Sequence, residues 1–350
     1  MVPRSEHSRL AAKVPLTLAG LLGVRLADLD VLADDASGAD LIVTAGRTFV
    51  VVVNQSTAAA PIAAAAKKAK AYATRIRRRA LPLVAVPFMG EVGRKVCEEM
   101  GVGWLDLSGN AHIVAPGIRM IVEGKPNRFK TVGRPRSLFA PKSSRIVRWL
   151  LVHAGEFVTQ REIARATGLD EGMVSRLVAR LTTEDYIIRD ERGSIRAKDP
   201  TLLLDDWREA YQFSKHTLLR GQVAARSGDA LLRSVADTLS EREIEHAATG
   251  LAAAWALTRF AAFRIATVYL IADPSPELLS QLGFREDARG ANLWLAVPND
   301  AGVFQGAVEK NGIRCAHPVQ VYVDLKDHPE RAAEAAERLR AELLTWRRDG

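Results

Sequence analysis

Apolar and polar positions repeat with different periods in different parts of the chain, and the period assigns the elements. Up to about residue 30 the leucines Leu16, Leu18, Leu21, Leu22 and Leu26 recur at helical intervals, with Gly20 and Gly23 between them. From Asp40 the pattern becomes that of strands. Asp40 to Thr44, a turn at Ala45-Gly46-Arg47 and Thr48 to Val53 predict a hairpin whose second strand is apolar throughout, as a strand buried on both faces requires. Thr57 to Arg79 predicts a long Ala-rich helix, with Pro61 confined to its first turn because proline lacks the N–H an interior turn needs. Leu81 to Val86 is a further strand, Glu91 to Met100 a helix, and Val102 to Leu107, Ala111 to Val114 and Ile118 to Val122 are strands again. The order ββαβαβββ, with short buried strands, predicts a compact α/β domain.

Residues 143–198 change register. Arg145 to His153 places Ile146, Trp149, Leu150 and Leu151 at helical spacing, and Ala154-Gly155 offers a left-handed glycine to end that helix. Thr159 and Glu162 form a T-x-x-E capping box for a short second helix that Gly168 closes. Asp170 caps a third, whose apolar stripe is Val174, Leu177, Val178 and Leu181. Its opposite face carries Gly172, Ser175, Arg176, Ala179 and Arg180. Ile187 to Asp190 and Ser194 to Lys198 then alternate about Glu191-Arg192-Gly193, a two-stranded wing with Arg189, Arg192, Arg196 and Lys198. This is the layout of a winged helix-turn-helix. A major groove admits a helix whose outer face has small residues for close approach, and hydroxyl and guanidinium donors for phosphates and base edges. The candidate DNA-binding residues are Gln160 and Arg161 at the start of the second helix, Gly172, Ser175, Arg176 and Arg180 on the third, and Arg189, Arg192 and Arg196 in the wing.

Beyond the wing, Leu202 to Arg220 reads as an amphipathic helix with Trp207 and Tyr211 one turn apart. His246 to Phe260 reads as a small-residue helix, Ala266 to Ala272, Asn292 to Val297 and Gln320 to Asp324 as strands, and Pro329 to Trp346 as a long final helix. On that last helix Glu330, Glu334, Glu337, Arg338, Arg340 and Glu342 make a solvated mixed face. The expected fold class is α+β multidomain: an α/β domain with a basic linker over 1–140, the winged helix-turn-helix over 141–199, and a C-terminal α/β domain over 200–350.

Charge sharpens this division. Residues 1–142 carry 21 Lys and Arg against 11 Asp and Glu, residues 143–198 carry 10 against 8, and the rest 18 against 22. A basic front and an acidic back direct nucleic acid to the first two segments. Gly124 to Gly155 alone holds Lys125, Arg128, Lys130, Arg134, Arg136, Lys142, Arg145 and Arg148 with no acidic residue. Cys97 and Cys315 are too few and too distant for a disulfide framework or a metal cluster, which fits a reducing cytoplasm. No apolar run is long enough to span a bilayer. No phosphate loop, nucleophile elbow or His/Cys ligand spacing occurs, so no cofactor, no metal and no enzymatic activity are expected.

Three resemblances add to this reading. Asp40 and the strand end Val53-Asn54-Gln55 sit in an element order that resembles the restriction-endonuclease-like, PD-(D/E)xK, fold. In that family an Asp at or after one strand and Glu-x-Lys on the next bind Mg²⁺ and activate water. Here Val53 stands at the Glu position and Gln55 at the Lys position, so the hard anionic ligands are incomplete, and a relic nuclease is expected. Asp106, Asn110 and His112 about the Asp106-Leu107-Ser108-Gly109-Asn110 turn allow a catalytic reading beside that of a tight turn bonded to its own backbone. Gly133-Arg134-Pro135-Arg136 is similar to the core of an AT-hook, which implies that Arg134 and Arg136 lie along a minor groove beside the recognition helix. The winged helix together with Thr249-Gly250-Leu251-Ala252-Ala253-Ala254-Trp255 and His317-Pro318-Val319-Gln320-Val321-Tyr322-Val323-Asp324-Leu325 resembles the AbiEi-type antitoxins of type IV toxin–antitoxin systems. That resemblance implies a double-stranded DNA-binding autorepressor opposing a nucleotidyltransferase-type toxin. The family's winged helix usually comes near the start of the chain, whereas here an α/β domain precedes it. One short recognition helix predicts a homodimer. The competing functions are a metal-dependent DNA nuclease and a non-specific DNA-handling protein.

Overall fold

A computed structural model describes residues 6–33, 39–76, 80–129, 138–287 and 289–346. The chain divides into two compact units, Met1–Pro135 and Arg136–Gly350. It is a mixed α/β, multidomain protein, with the winged helix inside the second unit.

In the first unit, helices α1 (Glu6–Ala11) and α2 (Val14–Leu22) precede β1 (Asp30–Leu32), β2 (Leu41–Thr44), β3 (Thr48–Val53), α3 (Ala59–Arg75) and β4 (Leu81–Val86). Helix α4 (Glu91–Glu99) and strands β5 (Gly103–Asp106), β6 (Ala111–Ala115) and β7 (Ile118–Val122) complete it. All seven strands lie in one sheet in sequence order, antiparallel from β1 to β3, parallel from β3 to β5 and antiparallel from β5 to β7. The two parallel steps are the ones that carry a helix, because a parallel pair needs a crossover. Strand β3 explains the uninterrupted Phe49-Val50-Val51-Val52-Val53 run. Phe49, Val51 and Val53 pack with Val14 and Leu18 of α2, while Val50 turns the other way to Ala73 and Tyr72 of α3. Each fully buried Val contributes about 1.5–3 kcal/mol by leaving water. Pro61 falls in the first turn of α3, as its missing N–H requires. Strand β1, Asp30-Val31-Leu32, is only three residues long and mostly exposed, and no alternation in the sequence announces it.

The second unit opens with α5 (Ser144–Val152), α6 (Gln160–Thr167), α7 (Glu171–Thr183) and the wing β8 (Ile187–Arg189) and β9 (Ile195–Ala197). It continues through α8 (Pro200–Ala210), β10 (Thr217–Gln222), α9 (Gly228–Glu241), β11 (His246–Thr249), α10 (Gly250–Thr258) and β12 (Ala266–Leu270). Helix α11 (Pro276–Gln281), strands β13 (Arg285–Glu286), β14 (Leu293–Val297), β15 (Val308–Lys310) and β16 (Ile313–Cys315), and helices α12 (Pro318–Asp324) and α13 (Ala332–Leu343) follow. A mixed sheet runs β13-β10-β14-β12-β11-β16-β15.

Three expectations for this region are corrected. The helix expected over 202–220 stops at Ala210, and Thr217–Gln222 is a strand. Tyr211 leaves the helix in an extended conformation, and its hydroxyl donates to the buried Asp324 carboxylate at 2.5 Å. The helix expected over 246–260 starts only at Gly250, whose positive φ of 58° makes the corner after the fully buried strand β11. Gln320 to Asp324 is helical rather than a strand. Pro318 occupies the first helical turn, and the His317 imidazole caps it by accepting the Val319 N–H at 3.2 Å. Strand β11 and helix α12 are buried throughout, so their apolar runs carry no period with which to tell strand from helix.

Candidate nucleic-acid interface

The helix-turn-helix forms by the local chemistry its sequence specifies. Thr159 Oγ1 accepts the Glu162 N–H at 3.2 Å, and the Glu162 carboxylate accepts the Thr159 N–H at 2.6 Å. Those bonds hold the Glu162 carboxyl below its ordinary range. Gly168 ends α6 in the left-handed region at φ 65°, and Asp170 Oδ1 caps α7 by accepting the Met173 N–H at 2.8 Å. Val174, Leu177, Val178 and Leu181 are buried, which turns Gly172, Ser175, Arg176 and Ala179 outward. The wing strands pair antiparallel from Ile187↔Ala197 to Arg189↔Ile195, and Val158 bridges to Ile195 on the far side. The Asp190 carboxylate shapes the wing turn by accepting the N–H groups of Arg192 and Ser194 at 3.0 and 2.8 Å.

The candidate residues fall into distinct environments. Gln160 begins α6, and the exposed Arg161 lies 3.8 Å from the Glu171 carboxylate at the start of α7, so the N-termini of the two helices are neighbours. Ser175 and Arg176 are exposed, one turn into α7. Arg180 is half-buried and held by Glu184 at 2.9 Å. Arg189 donates to the Gly193 carbonyl at 3.3 Å, bracing the wing, while Arg192 is exposed at its tip. The Arg196 guanidinium lies 4.9 Å over the Phe157 ring. Arg134 and Arg136 lie outside the described residues.

Helix α5 departs from the sequence reading. It ends at Val152 with His153, not with a left-handed Gly155, and Trp149 is half-buried against the His153 ring at 4.0 Å. Arg148 takes the buried place instead, 2% exposed. Its Nε and Nη2 donate to Gln320 Oε1 on α12 at 3.1 and 2.6 Å, and its guanidinium lies 5.1 Å over the Trp207 ring. Arg145 makes a two-pronged pair with Asp300 at 2.7 and 3.0 Å and donates to the Thr167 carbonyl at 2.9 Å. These two members of the basic run therefore clamp the winged helix to the domain behind it rather than facing a ligand. No local signal marks this, since their partners lie 155 and 172 residues away. Arg165, exposed on α6, is a further basic side chain that the sequence pattern does not single out.

The clamp leads into a buried polar network. Gln320 Nε2 donates to Asp324 Oδ1 at 2.7 Å, and Tyr269 and Thr249 donate to Asp324 Oδ2, the former at 2.9 Å. His216 Nδ1 accepts the Asn299 N–H at 3.1 Å, which leaves Nε2–H to donate to Tyr211 at 2.7 Å. Burial pushes the Asp324 carboxyl up to about 6 and pulls the His216 imidazole down to about 4.

In the first unit, Asp106 and Asn110 form a turn and not a reactive pair. The Asp106 carboxylate accepts from the backbone N–H groups of Met89 and Asn110 and from the Asn110 side-chain amide. Asn110 in turn grips the Lys125 backbone, accepting its N–H at 2.8 Å and donating to its carbonyl at 3.1 Å. His112 sits 3.0 Å from Glu98. Asp40 does stand against Val53, whose N–H it accepts at 2.7 Å, and pairs with His7 at 2.8 Å. Among the described residues no group of three or more His, Cys, Asp or Glu could hold a metal ion, and no helix is long and apolar enough to cross a membrane.

Comparison with known families agrees with this geometry. Residues 140–196 match the model of the MarR family, and residues 196–345 match that described as transcriptional regulator, AbiEi antitoxin, type IV TA system. No curated protein and no solved structure matches the chain.

Proposed function

We infer that this chain, similar to the MarR family over residues 140–196 and to the AbiEi antitoxin regulators over residues 196–345, is a sequence-specific autorepressor. The observation that supports it best is the outer face of α7, where Gly172, Ser175 and Arg176 stand exposed beyond a fully buried stripe. Small and donor side chains on the first turns of a helix can approach base edges in a major groove. Arg192 at the wing tip and Arg196 behind it supply phosphate contacts, which position rather than specify. Arg134 and Arg136 extend the footprint from the linker, and Gln160 and Arg161 add contacts at the start of α6. In this reading the protein acts in the cytoplasm as a homodimer and opposes a toxin of nucleotidyltransferase type.

The test is fluorescence anisotropy on the duplex upstream of its own gene and on a scrambled duplex, over a salt series. Sequence-preferring binding is expected, and Arg176→Ala should weaken the cognate duplex by about 1–3 kcal/mol while leaving the scrambled one nearly unchanged. Equal binding of both duplexes by the unaltered protein would refute the specific reading. An Arg176→Ala effect below a few tenths of a kcal/mol would remove that residue from the interface.

A further inference from the structure

Helix α3 carries a charge pattern that its own unit does not explain. Lys67, Lys68, Lys70 and Arg75 are exposed on a 17-residue helix with no acidic residue, and Ala64 and Ala71 are exposed with them. Ala59, Ala60, Ile62, Ala65, Ala66, Ala69 and Ala73 form the buried face; Lys70 donates to the Met100 carbonyl at 2.9 Å, but nothing about packing calls for lysine at positions 67 and 68. The helix dipole favours Arg75 in the last turn, but it does not reach Lys67 and Lys68 in the middle. Lys67 and Lys70, three residues apart, repel by a few tenths of a kcal/mol.

The exposed faces of α9 and α13 are built differently. On and beside α13, Arg331 pairs with Glu334 and Arg338 with Glu342, and on α9 Arg233 pairs with Asp229 at 3.1 Å. Among the described residues, Lys67, Lys68 and Arg75 have no carboxylate within pairing distance, and Arg75 instead lies 5.3 Å over the Tyr72 ring. A face meant only for solvent gains from mixed signs. A face of one sign interleaved with alanines is suited to a polyanion that must come close. Lys67 to Arg75 spans about 12 Å along the axis at 1.5 Å per residue, enough to meet successive backbone phosphates.

We propose that the exposed face of α3 is a second, sequence-independent contact for duplex DNA, binding the phosphate backbone through Lys67, Lys68 and Arg75. It rests on the DNA-binding reading above and extends it to the first unit, where the winged helix contributes nothing. The face neutralises phosphates and releases counterions, so it adds affinity and salt dependence to every duplex alike and leaves sequence preference to α7.

The experiment compares the full-length protein with Lys67→Ala/Lys68→Ala/Arg75→Ala in anisotropy titrations on the upstream and scrambled duplexes, each over a salt series. All three side chains are exposed, so the thermal midpoint of the variant should match that of the parent and report a folded protein. The expected result is a log-log salt slope shallower by about 2 to 3, at about 0.9 for each phosphate the variant no longer neutralises. Affinity should fall by the same factor on both duplexes, with their ratio unchanged. An unaltered slope in a folded variant, while the parent binds normally, would overturn the α3 contact and leave the winged-helix reading intact. A loss confined to the upstream duplex would also overturn it, since that is the signature of base readout. A parent protein that binds neither duplex would overturn both.

Discussion

The sharpest consequence of the clamp between α5 and α12 is an asymmetry between its two partners. Arg148 is fully buried, gives two donors to Gln320 Oε1, and has its Nη1 unpartnered. Burial lowers its pKa, offset by the surrounding Tyr211, Tyr269, Asp300 and Asp324. Gln320→Leu fills a similar volume but leaves the guanidinium with no acceptor and takes one donor from Asp324. A buried guanidinium that loses its acceptor costs about 2–3 kcal/mol, and the missing bond to Asp324 adds about 1. Arg148→Met removes the charge and leaves only the Gln320 carbonyl oxygen unsatisfied, at a cost of about 1–3 kcal/mol. The double variant has neither a stranded charge nor a stranded carbonyl oxygen. It should therefore be more stable than Gln320→Leu alone, with a coupling of about 2 kcal/mol in a double-mutant cycle. Urea unfolding followed by Trp fluorescence measures all four species. If Arg148→Met costs more than Gln320→Leu, or the two effects add, then the clamp does not work through the buried charge and this reasoning fails.

Two further outcomes follow from buried groups. Burial pulls His216 and His317 down to about 4. Their contribution to stability is therefore present above the unfolded value near 6.5 and is lost as pH falls towards 4, by about 3 kcal/mol each. Asp324, pushed up to about 6, has the opposite sign: its contribution is present below its unfolded value near 4 and is lost as pH rises through 6, by about 3 kcal/mol. The two imidazoles outweigh the one carboxyl, so the urea midpoint of the second unit should fall between pH 7 and pH 4, and a flat or rising midpoint would contradict these assignments. Asn110→Ala, which strips the Lys125 backbone of both its side-chain bonds, should cost about 2–4 kcal/mol and open residues 123–129 to limited proteolysis. An unchanged cleavage pattern would mean that the segment is held by something else.

How much of this is legible in the sequence depends on where the determining contacts lie. The helix-turn-helix is legible because its signals are local: Thr159 with Glu162, Gly168, and Asp170 with Met173 all act within four residues. The first unit is legible for a related reason, since its strands follow one another in the sheet in sequence order. The second sheet is not. There β11 pairs parallel with β16 across some 65 residues, and the fully buried strand β11 and helix α12 have no polar face to disclose a period. Arg145 and Arg148 mislead for the same reason from the other direction. In sequence they extend a basic run, and only partners 155 and 172 residues on turn them inward.

That inward turn fixes the winged helix to the domain behind it. A winged helix on a free linker could read DNA whatever happened to the domain behind it. Here Arg145 is held by Asp300, Arg148 by Gln320, and Tyr186, at the root of the wing, donates to Asp206 of α8 at 2.5 Å. Three separate polar contacts, each buried or half-buried, would have to break for the DNA-binding helices to move independently. Gln320 joins the two sides through one amide, its Nε2 donating to Asp324 and its Oε1 accepting from Arg148. Coupling of this kind is reciprocal. Were a partner to bind the C-terminal domain so as to disturb α12, whatever change this made in DNA affinity would be matched by an equal change in the partner's affinity when DNA is bound.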